Sequence, residues 1–228
     1  IDGLSDALVE NNSIWLGNDP SGTTDTASYN VAVGTTALDA ITTGDSLTAV
    51  GYGALGANTT GYKAVGIGRG SLLANTTGFQ VTAVGPYSAE NHTTGYNNTA
   101  VGSGSLGAVT TQSENVAVGS EAAKYSTGLI TALGHSAAQG VSGESSGAGN
   151  VAIGHQAMKA YTTGGGNVVV GSNSAVSLTT GGNNTSLGYY TLDSLTTGSN
   201  NVGIGYQALS AQTTSNNNIA IGYQAANA

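Results

Sequence analysis

Cysteine is absent from this chain, which excludes disulfides, thiolate metal sites and a thiol nucleophile and leaves the redox compartment open. Positive charge is scarce as well: 4 of 228 residues are Lys or Arg, against 12 Asp and Glu, for a net charge of -8. A nucleic-acid footprint needs clustered cations, so that partner class is excluded. Seven of the 12 acidic residues lie at or before Asp45. The long remainder is almost uncharged, and its solubility has to rest on Asn, Thr, Ser and Gly. No apolar run approaches the roughly 18 residues of a membrane span, and the start has neither a basic n-region nor an apolar h-region. Leu, Ile, Val and Phe make up only about a fifth of the chain, near the range where ordinary sequences stay disordered, but the low charge argues against disorder. Order has to come from repetition.

Repetition is what the chain has in abundance. Thirteen times a hydrophobic residue is followed at once by glycine, from Leu16-Gly17 and Val33-Gly34 through to Ile204-Gly205 and Ile221-Gly222. Ten of the twelve steps between copies are 17 residues, and the two exceptions, 15 and then 20, adjoin each other between Gly119 and Gly154. A fixed period in this range marks stacked repeats, so the chain is expected to form one elongated domain, a rod, with no boundary after the first coil.

Let the hydrophobic residue before each glycine be the zero point of a coil. Two places earlier stands a β-branched residue in every copy, for example Ile14, Val31, Thr48, Val65 and Thr82. Between the two the residue is usually small, as in Ala32, Ala49, Gly66 and Ala83. Alternation with β-branched residues predicts a strand with one bulky and one flat face. Four and five places after the zero point come a small residue and then Leu, Met or Ala, as in Ala37-Leu38 and Ala157-Met158, which predicts a second short strand. Thr-Thr-Gly turns follow, as at residues 42–44, 59–61 and 196–198. Gly and β-branched residues dominate and no helical period appears, so helix is excluded from the repeats. Thirteen coils at about 4.8 Å each predict a rod of roughly 60 Å. Asparagine three places before zero recurs at Asn30, Asn98, Asn115, Asn150, Asn167, Asn184, Asn201 and Asn218, a candidate amide ladder. A coil this small has a thin interior, so the flat alanine faces of several chains are expected to pack together.

Segments such as NVAVGTTAL (residues 30–38), NTAVGSGSL (98–106), NVAIGHQAM (150–158) and NIAIGYQAA (218–226) resemble the head repeats of YadA-type trimeric autotransporter adhesins. The longer spacing with an Asn-Thr-Thr-Gly turn, as in Asn58 to Gly61, looks more like the version in tail fibres of bacteriophages, marine phages especially. The opening IDGLSDALVENNSIWLGNDPSG also looks like the lead-in to such fibre repeats. The resemblance covers about residues 11–228 and implies a left-handed parallel β-roll with three chains side by side. The expected fold is therefore all-β, a parallel β-roll or β-solenoid of about 13 coils with a 17-residue repeat, assembled as a homotrimeric rod. Residues 1–12 are read as an N-terminal lead-in or cap and 13–228 as the solenoid, with irregular coils at 120–150. Ile1, Leu4 and Leu8 fall on one helical face that Asp2 can cap, and this stretch is expected to cover the first coil. Past Ala228 nothing covers the last coil, so continuation or contact with another fibre or tail subunit is expected.

The expected function is structural and adhesive: a trimeric segment of a phage tail fibre, in the virion, acting as a spacer and in attachment to a host-surface glycan or protein. A bacterial-surface adhesin head is the alternative, and an ice-binding solenoid, suggested by the Thr-Thr rows, is a further one. No catalytic residue, cofactor or metal is expected. His92, His135 and His155 match no nucleophile-base motif, and the turns lack the aspartates of calcium-binding repeats. GYGALG (51–56) and GIGRG (66–70) lack the Gly-Lys-Ser/Thr of a phosphate loop. Asn-x-Thr matches at Asn58, Asn75, Asn91 and Asn97 are read as turns. A glycan-cleaving activity would need paired carboxylates, for which Glu114 and Glu121 flank one coil. Two places stand out as possible receptor contacts. One is the column two residues after zero, holding Tyr52, His135, His155, Tyr189, Tyr206 and Tyr223, which either contacts a receptor or stacks on itself. The other is the irregular pair of coils, with Lys124, Tyr125, His135 and Glu144 near the altered turns.

Overall fold

A computed structural model describes residues 7–17 and 26–227, which contain fourteen strands and no helix. The fold is an all-β parallel solenoid built on the 17-residue repeat. The chain divides into two compact units, Ile1–Glu114 and Asn115–Ala228. The first holds β1 (Ala7–Glu10), β2 (Ser13–Leu16), β3 (Val31–Val33), β4 (Thr48–Val50), β5 (Val65–Ile67), β6 (Thr82–Val84) and β7 (Thr99–Val101). The second holds β8 (Val116–Val118), β9 (Ile130–Leu133), β10 (Asn150–Ile153), β11 (Val168–Val170), β12 (Thr185–Leu187), β13 (Val202–Ile204) and β14 (Ile219–Ile221).

Within the first unit, β2 to β7 are parallel, and each residue sits beside its counterpart one repeat on, as Val31 beside Thr48 and Ala32 beside Ala49. β1 differs. It runs antiparallel to β2, with Leu8 opposite Trp15 and Val9 opposite Ile14. The connection is Asn11-Asn12, both left-handed at φ 47° and 58°, as a two-residue hairpin turn requires. The helix expected to run through Leu8 is therefore a strand at that residue, because two consecutive asparagines supply a tight turn that lets Leu8 pair with the buried Trp15. Ile1, Asp2 and Leu4 lie outside the described residues.

Only one strand forms per coil. The expected second strand at Ala37-Leu38 and its equivalents is a run of turns, because Thr36 and Leu38 are both left-handed (φ 58° and 52°) with Ala37 between them. The turns close on themselves, Ala37 N donating to Gly34 O at 3.2 Å and Ile41 N to Leu38 O at 3.2 Å. The curled backbone still bonds to the next coil, Leu38 N to Ala54 O at 3.1 Å. A leucine at positive φ costs about 1 kcal/mol. Complete burial of Leu38, Leu55 and Leu72 returns about 2 kcal/mol each, which decides the balance.

The flat strand face also turns out differently. Ala32, Ala49, Ala83 and Ala100 are fully buried inside the coil, and the bulky residues on either side of them point outward. The small residue is dictated from within: a Cβ on Gly66 would sit 3.2 Å from Leu55 Cγ and 3.1 Å from Ser71 Oγ. The alanines therefore pack under the leucine column of their own chain and are not available to other chains.

In the second unit β8 to β14 are parallel. Here the amide ladder is continuous from Asn150 through Asn167, Asn184 and Asn201 to Asn218. Each Nδ2 donates to the preceding Oδ1, at 3.1, 3.1, 3.0 and 3.0 Å, and each of those oxygens also accepts the backbone N–H of the next asparagine. Replacing Asn184 with alanine would leave the Asn201 N–H without its acceptor and Gly198 O without its donor. We expect a loss of about 2 kcal/mol in urea unfolding. A change of a few tenths would show that solvent replaces the ladder freely.

Candidate functional site

The repeat turns any residue recurring at one coil position into a surface column. Two residues after zero, Tyr189 and Tyr206 have ring centroids 6.0 Å apart and tilted by 30°, and Tyr206 and Tyr223 lie stacked at 5.2 Å and 9°. Tyr190 packs edge-on against Tyr189 at 4.3 Å, and its hydrogen bond raises the Tyr189 phenol above its ordinary value. Facing ring surfaces are thus taken up by neighbouring rings, except that Tyr223, with a ring neighbour on one side, remains 74% exposed. His135 and His155 stand in the same column, stacked at 5.4 Å and 14°, with Ser172 between them and Tyr189. Tyr52 occupies the equivalent position in the first unit and is exposed.

A second aromatic column escaped the sequence reading. Tyr62, Phe79 and Tyr96, five residues before zero, stack at 4.9 Å and 3° and then at 5.3 Å and 11°, with Phe79 and Tyr96 in a parallel backbone bridge. Their 17-residue spacing was the available signal.

The irregular coils gather Lys124 and Tyr125 around Glu121. Lys124 Nζ lies 2.8 Å from Glu121 Oε1 and 5.3 Å from the Tyr125 ring centre, and Gln139 Nε2 donates to Glu121 Oε2 at 2.7 Å. The lysine hydrogen bond is the main reason the Glu121 carboxyl lies below its ordinary range, and the same bond raises Lys124. Glu144 sits in an exposed turn, its N–H donating to Val141 O at 3.1 Å. Behind this turn, Ser145 Oγ accepts from Val141 N at 2.6 Å and donates to Tyr161 O at 2.8 Å. The buried Tyr161 hydroxyl donates to Ser126 Oγ, 35 residues away, and burial pushes the phenol up to about 12. Tyr161 thereby spans the altered coils from the inside, and the β9–β10 register remains regular despite the 20-residue step.

The interior of the first unit holds a polar cluster that no motif announced. Asn75 Nδ2 donates to Asn58 Oδ1 at 2.6 Å, His92 Nδ1 lies 2.9 Å from Asn75 Oδ1, and Asn98 Nδ2 lies 3.1 Å from His92 Nε2. All four side chains are buried, and desolvation pushes His92 down to about 4. The neutral ring therefore donates from Nδ1 and accepts at Nε2. Burial also takes Asn58 and Asn75 out of reach of any glycosylating enzyme in the folded chain. In the neighbouring turn column Thr59 Oγ1 donates to Thr76 O and Thr76 Oγ1 to Thr93 O, both at 3.2 Å, so one of the two threonine rows bonds coil to coil.

Among the described residues there is no cluster of three or more His, Cys, Asp or Glu able to hold a metal ion, and no helix long and apolar enough to cross a membrane. Comparison with family models, curated proteins and solved structures gives no match to this chain.

Proposed function

We propose that the chain is a non-enzymatic structural fibre segment that associates with copies of itself as a homotrimer. It acts as a spacer in a phage tail fibre and in attachment to a host surface. The observation that carries the reading is the outward face of the strands. In the first unit Val31 and Ile67, and in the second Val118, Val168 and Leu187, expose large apolar side chains along the stack, with no charge on the strands that carry them. Val168 is 43% and Leu187 46% exposed, on adjacent strands. Apolar columns of this kind favour burial against another surface. An almost uncharged partner of the same chemistry is a second copy, and the resemblance to YadA-type head repeats sets the number at three.

The resemblance to phage fibre repeats, with their Thr-Thr-Gly turns, supports the tail-fibre assignment over the bacterial adhesin head, its closest alternative. Threonine hydroxyls spent in coil-to-coil bonds favour a structural role over ice binding. Light scattering with sedimentation is expected to give three times the chain mass. A Val168→Asp, Leu187→Asp double variant is expected to shift the mass toward the single chain while keeping its β-rich circular dichroism. A native chain that remains monomeric at high concentration overturns the reading.

A further inference from the structure

We propose that His135 and His155 form a surface site for one borderline transition-metal ion, zinc being the reference case. The two histidines are 20 residues apart in sequence, and the sheet brings them together. Leu133 pairs with Ile153, so the residues two places further on fall side by side with ring centroids 5.4 Å apart. Two imidazoles bound to one tetrahedral zinc, with Zn–N of about 2.0–2.1 Å, have ring centres about 5.2 Å apart. The rings are stacked near parallel, at 14°, so a shared ion requires each ring to turn about its side-chain bonds until its plane contains the metal, a movement open to two exposed residues whose ring centres are already at the required distance.

The backbone under the pair is fixed. Gln156 N donates to His135 O and Asn173 N to His155 O, both at 2.9 Å, and Ser136 N donates to Ser120 O at 2.9 Å. Among the described residues neither imidazole is held by a hydrogen bond, in contrast to His92, whose two ring nitrogens are both engaged. Glu121 is the carboxylate near His135, but its charge is balanced by Lys124 at 2.8 Å. Its two oxygens are occupied by Lys124 and Gln139, so it is not counted as a ligand and the site rests on the two imidazoles. Two imidazole nitrogens with open positions for water select zinc, copper(II) or nickel(II) over calcium or magnesium, which require oxygen ligands.

The test is calorimetric titration of the full chain with zinc chloride, with calcium chloride as the control. One zinc per chain is expected, with no heat from calcium. His135→Asn and His155→Asn should each weaken binding about tenfold or more, and His92→Asn should leave it unchanged. Zinc should shift the NMR ring signals of His135 and His155 and not those of His92. No saturable zinc binding at submillimolar concentration overturns the proposal. So does zinc binding that survives the His135→Asn, His155→Asn double variant, or that calcium displaces, since either would place the ion on scattered carboxylates.

Discussion

Alanine at Gly68 is expected to destabilise the first unit by about 3 kcal/mol or more. Gly68 has φ +123°, a region closed to residues with a side chain, and a Cβ there would lie 2.6 Å from both C and O of Gly85 and 2.9 Å from Pro86 N. All three atoms belong to the backbone of the next coil, so no rotamer change relieves the collision. Relief would require the coils to separate, which breaks the strand pairing beside them. Gly53 provides the control. It is also left-handed, at φ +66°, but a Cβ would meet only side-chain atoms, the end of Leu73 at 3.2 Å and Thr36 Oγ1 at 3.8 Å, and other coils carry Thr36 or Tyr87 at that position with φ 58° and 57°. Gly53→Ala should cost about 1 kcal/mol. Urea unfolding followed by circular dichroism compares the two, and equal losses would mean that coil spacing adapts to a methyl group.

Acid should destabilise the first unit through a single residue. In the unfolded chain His92 takes up a proton near 6.5, and in the folded chain only near 4, because burial disfavours the charged ring. Between these values the unfolded state binds more protons, so stability falls as pH falls. The His92 contribution is complete above about pH 6.5 and is lost progressively down to about pH 4, where the deficit reaches about 3 kcal/mol. Geometry reinforces the sign: a proton on Nε2 would point at Asn98 Nδ2, itself a donor held to Gln112 O at 2.8 Å. Asparagine is the natural replacement, since Asn58 and Asn75 fill the same coil position and bond to each other. His92→Asn should cost about 1 kcal/mol at neutral pH, for lost packing, and should flatten the stability profile between pH 6.5 and 4. Urea midpoints at several pH values decide the matter, and an unchanged acid slope in the variant would assign it to other groups.

The first strand of each coil, the coil period and the amide ladder from Asn150 to Asn218 were legible because each depends on one residue type returning at one position, whereas the second strand expected at Ala37-Leu38 does not form. Asn167, Asn184 and Asn201 can bond in a row only if the coils stack in register. The direction of the strand faces was not legible: a small residue such as Ala49 signals close approach of something, and sequence does not distinguish a neighbouring chain from Leu38 or Leu55 of its own. The turn run was hidden for a related reason. Leucine ordinarily avoids positive φ, and only burial at Leu38 or Leu72 makes the conformation favourable. Of the candidate contact residues, the tyrosine column was placed correctly as a column. His92 joins positions from different parts of the repeat, Asn75 and Asn98, and no linear motif describes such a cluster.

The β1–β2 hairpin bears on polymerisation. A parallel stack with identical coils invites end-to-end growth, because an open strand edge offers the same hydrogen-bonding pattern that each coil already uses. At β2 that edge is occupied by a strand of opposite direction, turned back by Asn11 and Asn12. A coil from a second molecule therefore cannot join β2 in the parallel register that the coils use among themselves, and the strand it would meet first at this end, β1, runs in the opposite direction to the coil strands.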